Sequence, residues 1–175
     1  MSAAAHTTSD VALPRVLVAG IGNVFLRDDG FGAEVARRMH ARTLRDGVCV
    51  FEFGTGGLDL VHELMRGYDA LILVDVSRRG EAPGTLYVIE PSPADVHAGE
   101  GVAMDPHAMD PETVLRFVKT ISGWPSKVFI VACEPAEIDD VGRGSSAAVE
   151  RSVEGAIELV ADAIAELDLG ARRGG

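Results

Sequence analysis

Short runs of consecutive apolar residues alternate along this chain with segments whose apolar residues recur every three or four positions. RVLVA (15–19), VCVFEF (48–53), ALILVD (70–75) and KVFIVAC (127–133) are nearly continuous aliphatic stretches, the pattern of parallel strands covered on both faces. TLYVIE (85–90) follows ALILVD after the loop VSRRGEAPG, which is too short to hold a crossover helix. That strand is therefore expected to run antiparallel at one edge of the sheet.

The helical segments are equally distinct. A first helix opening near Gly30 sets Phe31, Val35 and Met39 on one stripe and turns Arg37, Arg38 and Arg42 to water. A second is expected around 58–65. A third starts at Asp110-Pro111, where aspartate caps and proline fits the first turn, with Val114, Leu115, Val118 and Ile121 on its inner face. The last opens at Ser145 or Ser146 and aligns Val149, Val153, Ile157, Val160, Ile164 and Leu167. The order βαβαββαβα predicts a single-domain three-layer α/β/α sandwich around a mostly parallel sheet of about five strands with one antiparallel edge strand. Residues 1–13 are expected as a flexible leader, 14–169 as the α/β domain and 170–175 as a flexible tail.

Composition narrows the class. With 175 residues and 47% apolar content, the chain can bury one substantial core. A formal charge of −11 would repel polyphosphate backbones, so nucleic acid is not an expected partner. Cys49 and Cys133 lie far apart inside apolar runs, where buried thiols are expected, with no C-x-x-C spacing. No stretch is long and apolar enough to be a membrane span, and the first residues lack the apolar core of a signal peptide. Both features point to the cytoplasm.

The chemistry concentrates where the strands end. The loop GIGNVFLRDDGFG (20–32) sits between a strand and a helix, the usual place for a phosphate, yet Phe25 occupies the third glycine position of G-x-G-x-x-G and no G-K-[ST] follows. Asp28 and Asp29 already fill the positive end of the helix with negative charge. The loop presents acids, and no nucleotide is expected. Asp28 has the stronger claim to be only a cap. In an open parallel sheet, loops at the carboxyl ends of the strands converge on one crevice. The other such ends carry GTGG (54–57), Asp75 and Glu134-Pro135.

Two acids from different loops, joined by an imidazole, make an oxygen and nitrogen donor set suited to zinc, nickel, iron or manganese. His6 lies in the leader, and His40 and His62 fall inside helices. His97 and His107 both sit in the irregular stretch before the third helix. His107, in DPHAMDP, has the more rigid setting.

The blocks GIGNVFLRDDGFG, FGTGGLDL (53–60), LILVDVSRRGEAPGTLYVIE (71–90) and DPHAMDPETVL (105–115) resemble, in order, those of the nickel–iron hydrogenase maturation endopeptidases. The resemblance implies removal of a C-terminal extension from the hydrogenase large-subunit precursor after nickel insertion. It also implies a metal site whose ligands, carried over by motif position, are Asp29, Asp75 and His107, with His107 preferred over His97. These three are the expected catalytic and metal residues, and Asp28 is a further candidate. The nickel would be supplied by the precursor, which is the expected partner. Some members of that family carry glutamate where Asp29 stands, so the reach of this ligand differs.

No G-x-S-x-G elbow or histidine-paired cysteine offers a nucleophile, so an ion polarising the scissile carbonyl is the expected chemistry. A nickel-sensing assembly module that binds the precursor without cutting it would share every motif. The antiparallel edge strand at 85–90 would suit strand addition of the substrate tail.

Overall fold

The computed structural model describes residues 12–96 and 111–174. His97, His107 and nearly all of the expected leader lie outside them. The strands are β1 (Val16–Ile21), β2 (Val48–Gly54), β3 (Ala70–Val76), β4 (Leu86–Ile89) and β5 (Lys127–Cys133). The helices are α1 (Phe31–His40), α2 (Gly57–Leu64), α3 (Pro111–Phe117) and α4 (Ala147–Gly174), and a single 3-10 turn, Arg27–Gly30, leads into α1. The sheet has five strands in the order β2-β1-β3-β5-β4, with all pairs parallel except β4 against β5.

Alternation along the strands divides the core into two layers. Val16, Val18, Ile72, Val74 and Val131 face α1 and α4, meeting Phe31, Val35, Met39 and the stripe from Val149 to Ile164. Leu17, Ala19, Leu71, Leu73 and Ile130 face the opposite way, onto Leu60, Val61 and Leu64 of α2 and Val114 and Leu115 of α3. Period-two alternation inside runs that look uniformly apolar is what a doubly covered sheet requires.

β4 is the antiparallel edge strand, as expected, and its partner is β5, which is inserted between β3 and β4. Three details differ from the expectation. Ile121 is exposed rather than buried, because α3 gives way to a wider π-helical turn over Val118–Ser122 and Phe117 takes the inner position. Cys49 is only half-buried, since β2 is an edge strand, whereas Cys133 is fully buried. Finally, α4 runs on through residues 170–174, where a tail was expected. Arg172 and Arg173 in its last turn suit the negative end of the helix dipole.

Close backbone packing fixes α1 on the sheet. A Cβ on Gly32 would lie 2.2 Å from the Val74 carbonyl oxygen and 2.4 Å from that of Ile21, and a Cβ on Gly20 would lie 2.2 Å from the Gly32 carbonyl oxygen. No side chain fits between the helix and the strands here. The first turn of α1 is thereby seated on the adjacent ends of β1 and β3.

Candidate active site

β2 and β3 flank β1 on opposite sides, and the connections through α1 and α2 cover opposite faces of the sheet. The carboxyl ends of β1 and β3 therefore form a topological switch point, the place where an open α/β sheet leaves a crevice for ligands. Asp29 enters it from the 3-10 turn after β1, and Asp75 from the end of β3.

Gly22 joins the two acids. Its φ of 117° belongs to glycine, and a Cβ there would lie 1.9 Å from the Asp29 carbonyl oxygen and 3.4 Å from Asp75 Oδ1. The next residue, Asn23, donates its backbone N–H to Asp29 Oδ2 at 2.8 Å. Asp75 is 3% exposed, and its Oδ1 accepts from the Val76 backbone N–H at 2.7 Å. Burial pushes the Asp29 carboxyl above the usual aspartate range and outweighs the opposing pull of the Asn23 N–H. A carboxylate that is costly to keep charged is one that gains from a cation.

Asp28 turns the other way. It is fully buried, and its carboxylate accepts from the backbone N–H groups of Ala136 at 2.8 Å, Glu137 at 2.9 Å and Ser146 at 2.5 Å, and from the Ser146 hydroxyl at 3.0 Å. Its own N–H donates to the Glu137 carbonyl at 2.9 Å. Burial alone would raise its pKa, but these donors hold it below the ordinary value. Asp28 thus ties the loop after β1 to the loop after β5 and to the start of α4. Sequence reasoning missed these partners because backbone amides carry no residue-type signature.

Glu134, singled out at the end of β5, also has a bracing role. It accepts from the N–H groups of Arg79 and Gly80 at 2.8 and 3.2 Å and from the Tyr87 hydroxyl at 2.7 Å, and so holds the loop that follows β3. The Tyr87 hydroxyl leads the donors that keep its carboxyl below the usual range, against burial. His40 and His62 are exposed on their helices.

Among the described residues, no group of three histidine, cysteine or acidic side chains is gathered for a metal. The two carboxylates of the crevice are hard oxygen donors, and a metal site built on them takes a third ligand from elsewhere. The direction of α3 bears on that ligand. Lys119, just beyond α3, donates to the carbonyls of Pro93 and Val96, in the segment that leaves β4. β4 itself runs from the carboxyl end of β5 toward its amino end. Hence α3 starts toward the crevice and ends away from it.

Comparison with known proteins agrees with this architecture. The family model for hydrogenase maturation proteases matches residues 33–163. The hydrogenase expression/formation protein HupD of Rhizobium leguminosarum bv. viciae is 33% identical over 146 residues, which cover 83% of this chain and 71% of the relative. The hydrogenase 2 maturation protease of Escherichia coli (strain K12) is 29% identical over 154 residues, covering 87% of this chain and 92% of that one. Among solved structures, the hydrogenase maturating endopeptidase HybD from Escherichia coli superposes with a TM-score of 0.70 at 27% identity, covering 87% of this chain and 93% of its own. A crevice flanked by two acids, on a fold shared with these endopeptidases, makes the chain a hydrolase that belongs to the hydrogenase maturation protease family.

Proposed function

We propose that this protein is the cytoplasmic endopeptidase that removes the C-terminal extension of a nickel–iron hydrogenase large-subunit precursor once nickel has been inserted. The observation that carries this reading is that the loop after β1 bears Asp29 and packs Gly22 against both the Asp29 carbonyl and the Asp75 carboxylate at the switch point. His107 completes the donor set in this reading. It lies four residues before Pro111, and α3 begins toward the crevice. The cation is the substrate's own cargo, and it supplies polarisation of the scissile carbonyl.

Asp29 and Asp75 orient that cargo, and the burial that pushes the Asp29 carboxyl above its ordinary range makes its charge costlier to hold without a cation. The site therefore favours a precursor that arrives with its charge. Asp28, with its oxygens occupied by four donors, is a positioning residue rather than a proton acceptor.

The test is intact-mass analysis of nickel-loaded and nickel-free precursor after incubation with the purified protein. Loss of a C-terminal fragment from the loaded form alone is expected. Stable binding without mass loss would instead make the protein an assembly module that senses nickel.

A further inference from the structure

The sheet has two edges, and they stand differently toward the crevice. β4 runs antiparallel, so its carboxyl end leads away from Asp29 and Asp75. β2 runs parallel to β1 and delivers its carboxyl end, Gly54, beside them. The Gly22 N–H donates to the Gly54 carbonyl at 3.0 Å, and a Cβ on Gly22 would run into the Asp29 carbonyl and lie 3.4 Å from Asp75 Oδ1. The free edge of β2 thus leads directly to the candidate cutting site.

The ladder shows which groups that edge presents. Val16 N–H donates to the Gly47 carbonyl, and Val16 is paired with Val48. In a parallel ladder this register sends the N–H and C=O of Cys49 and Phe51 toward β1 and those of Val48, Val50 and Glu52 outward. Val48 N–H is taken by the Arg45 carbonyl at 3.3 Å, which leaves Val50 and Glu52 as the outward pair nearest the crevice. Among the described residues no strand lies beyond β2. The register shifts after Gly20 and Glu52, so Phe53 is an extra residue that bends the strand just before Gly54.

Apolar surface accompanies the edge. Phe51 is 38% exposed and lies tilted against Phe53 with ring centroids 5.9 Å apart, and Leu58 of α2 is 40% exposed. β2 carries none of the lysine or proline that commonly protects an edge strand.

We propose that the free edge of β2 binds the polypeptide to be cut, as an added strand. Its backbone pairs with the outward groups of Val50 and Glu52, and one of its side chains covers Phe51. The occupant is an extended segment adjoining the scissile bond, because an endopeptidase must hold chain on both sides of the bond it breaks. This edge points at the carboxylates, and main-chain pairing gives affinity with little demand on sequence. The inference rests on the crevice being the cutting site.

The test is amide hydrogen exchange on the wild-type protein with and without the nickel-free precursor, together with processing kinetics of Glu52→Pro on the nickel-loaded one. Slowed exchange at Val50 and Glu52, with Val88 of β4 unchanged, is expected. Glu52→Pro removes an outward donor while sparing the bonds to β1, and KM should rise about tenfold with kcat nearly constant. Protection on β4 instead of β2, or an unchanged KM in a folded Glu52→Pro protein, would overturn the proposal. If the variant fails to fold, exchange on the wild-type protein decides. Normal processing by Asp75→Asn would remove the assignment of the cutting site, whereas the exchange pattern on β2 does not depend on that assignment.

Discussion

The carboxylate of Asp28 accepts from Ser146 twice, from the backbone N–H at 2.5 Å through Oδ1 and from the hydroxyl at 3.0 Å through Oδ2. A residue in the first loop therefore anchors the start of the longest helix. Ser146 in turn caps that helix, its carbonyl accepting from Glu150 N–H at 2.9 Å and its hydroxyl from Val149 N–H at 3.4 Å.

Asp28→Asn should therefore destabilise the fold. An amide group must turn its NH2 toward at least one backbone donor, and a buried, charge-assisted bond of this kind contributes about 1.5–3 kcal/mol. Ser146→Ala, which deletes only the hydroxyl, should cost about 1 kcal/mol. Thermal melting of the two variants checks the order. Equal melting points for Asp28→Asn and wild type would show that the carboxylate anchors nothing.

The two adjacent acids should titrate apart in the metal-free protein. Asp28 has a folded pKa below 3.8, so its stabilising contribution is complete above that unfolded value and is lost as pH falls through the lower folded one. Asp29 is shifted the other way, so its neutral form is favoured in the fold and its charge costs stability as pH rises through 3.8. On acidification Asp29 takes its proton first, and the Asp28 anchor still holds. Carboxyl carbon shifts followed by NMR would report the order. A reversal would mean that hydrogen bonds, not burial, dominate at Asp29.

Asp75→Asn should keep the fold and abolish processing, because a neutral amide cannot supply the charge that complements a cation. His107→Ala should also abolish processing while His97→Ala does not. Near-wild-type rates for either of the first two variants, in protein with an unchanged circular dichroism spectrum, would remove that residue from the site.

Gly32→Ala should be among the most damaging single changes. The new methyl would meet two carbonyl oxygens within 2.4 Å, and backbone on both sides leaves nothing flexible to yield. A loss of several kcal/mol is expected from overpacking of this kind. A soluble variant with an unchanged melting temperature would show that α1 can lift from the sheet more readily than its packing implies.

Much of this was legible in the residues. Continuous apolar runs marked every strand, and the stripe from Val149 to Ile164 marked α4, because burial leaves a periodic trace. The position of β4 was not legible, since nothing in TLYVIE says whether β3 or β5 lies beside it. The sequence marked Asp28 as the cap of the adjacent pair without showing what it anchors. The 3-10 turn separates the pair, sending one toward amides more than a hundred positions away and the other toward the nearby Asn23 amide. Glu134 was noticed for its place, but its role as a brace depends on the Arg79 and Gly80 amides, which could belong to any residue type.

The glycine-to-carbonyl contact that seats α1 on β1 and β3 also limits how this site can be retuned. With Gly20 and Gly32 already at contact distance, the helix can neither advance toward Asp75 nor retreat without opening a void. Side-chain length at position 29 then becomes the remaining adjustable arm of a caliper whose frame is fixed. Replacing aspartate with glutamate there alters the span by one methylene on an unchanged backbone. If Asp29 holds the cargo as proposed, a set of variants at this position would measure how wide a cargo the crevice accepts.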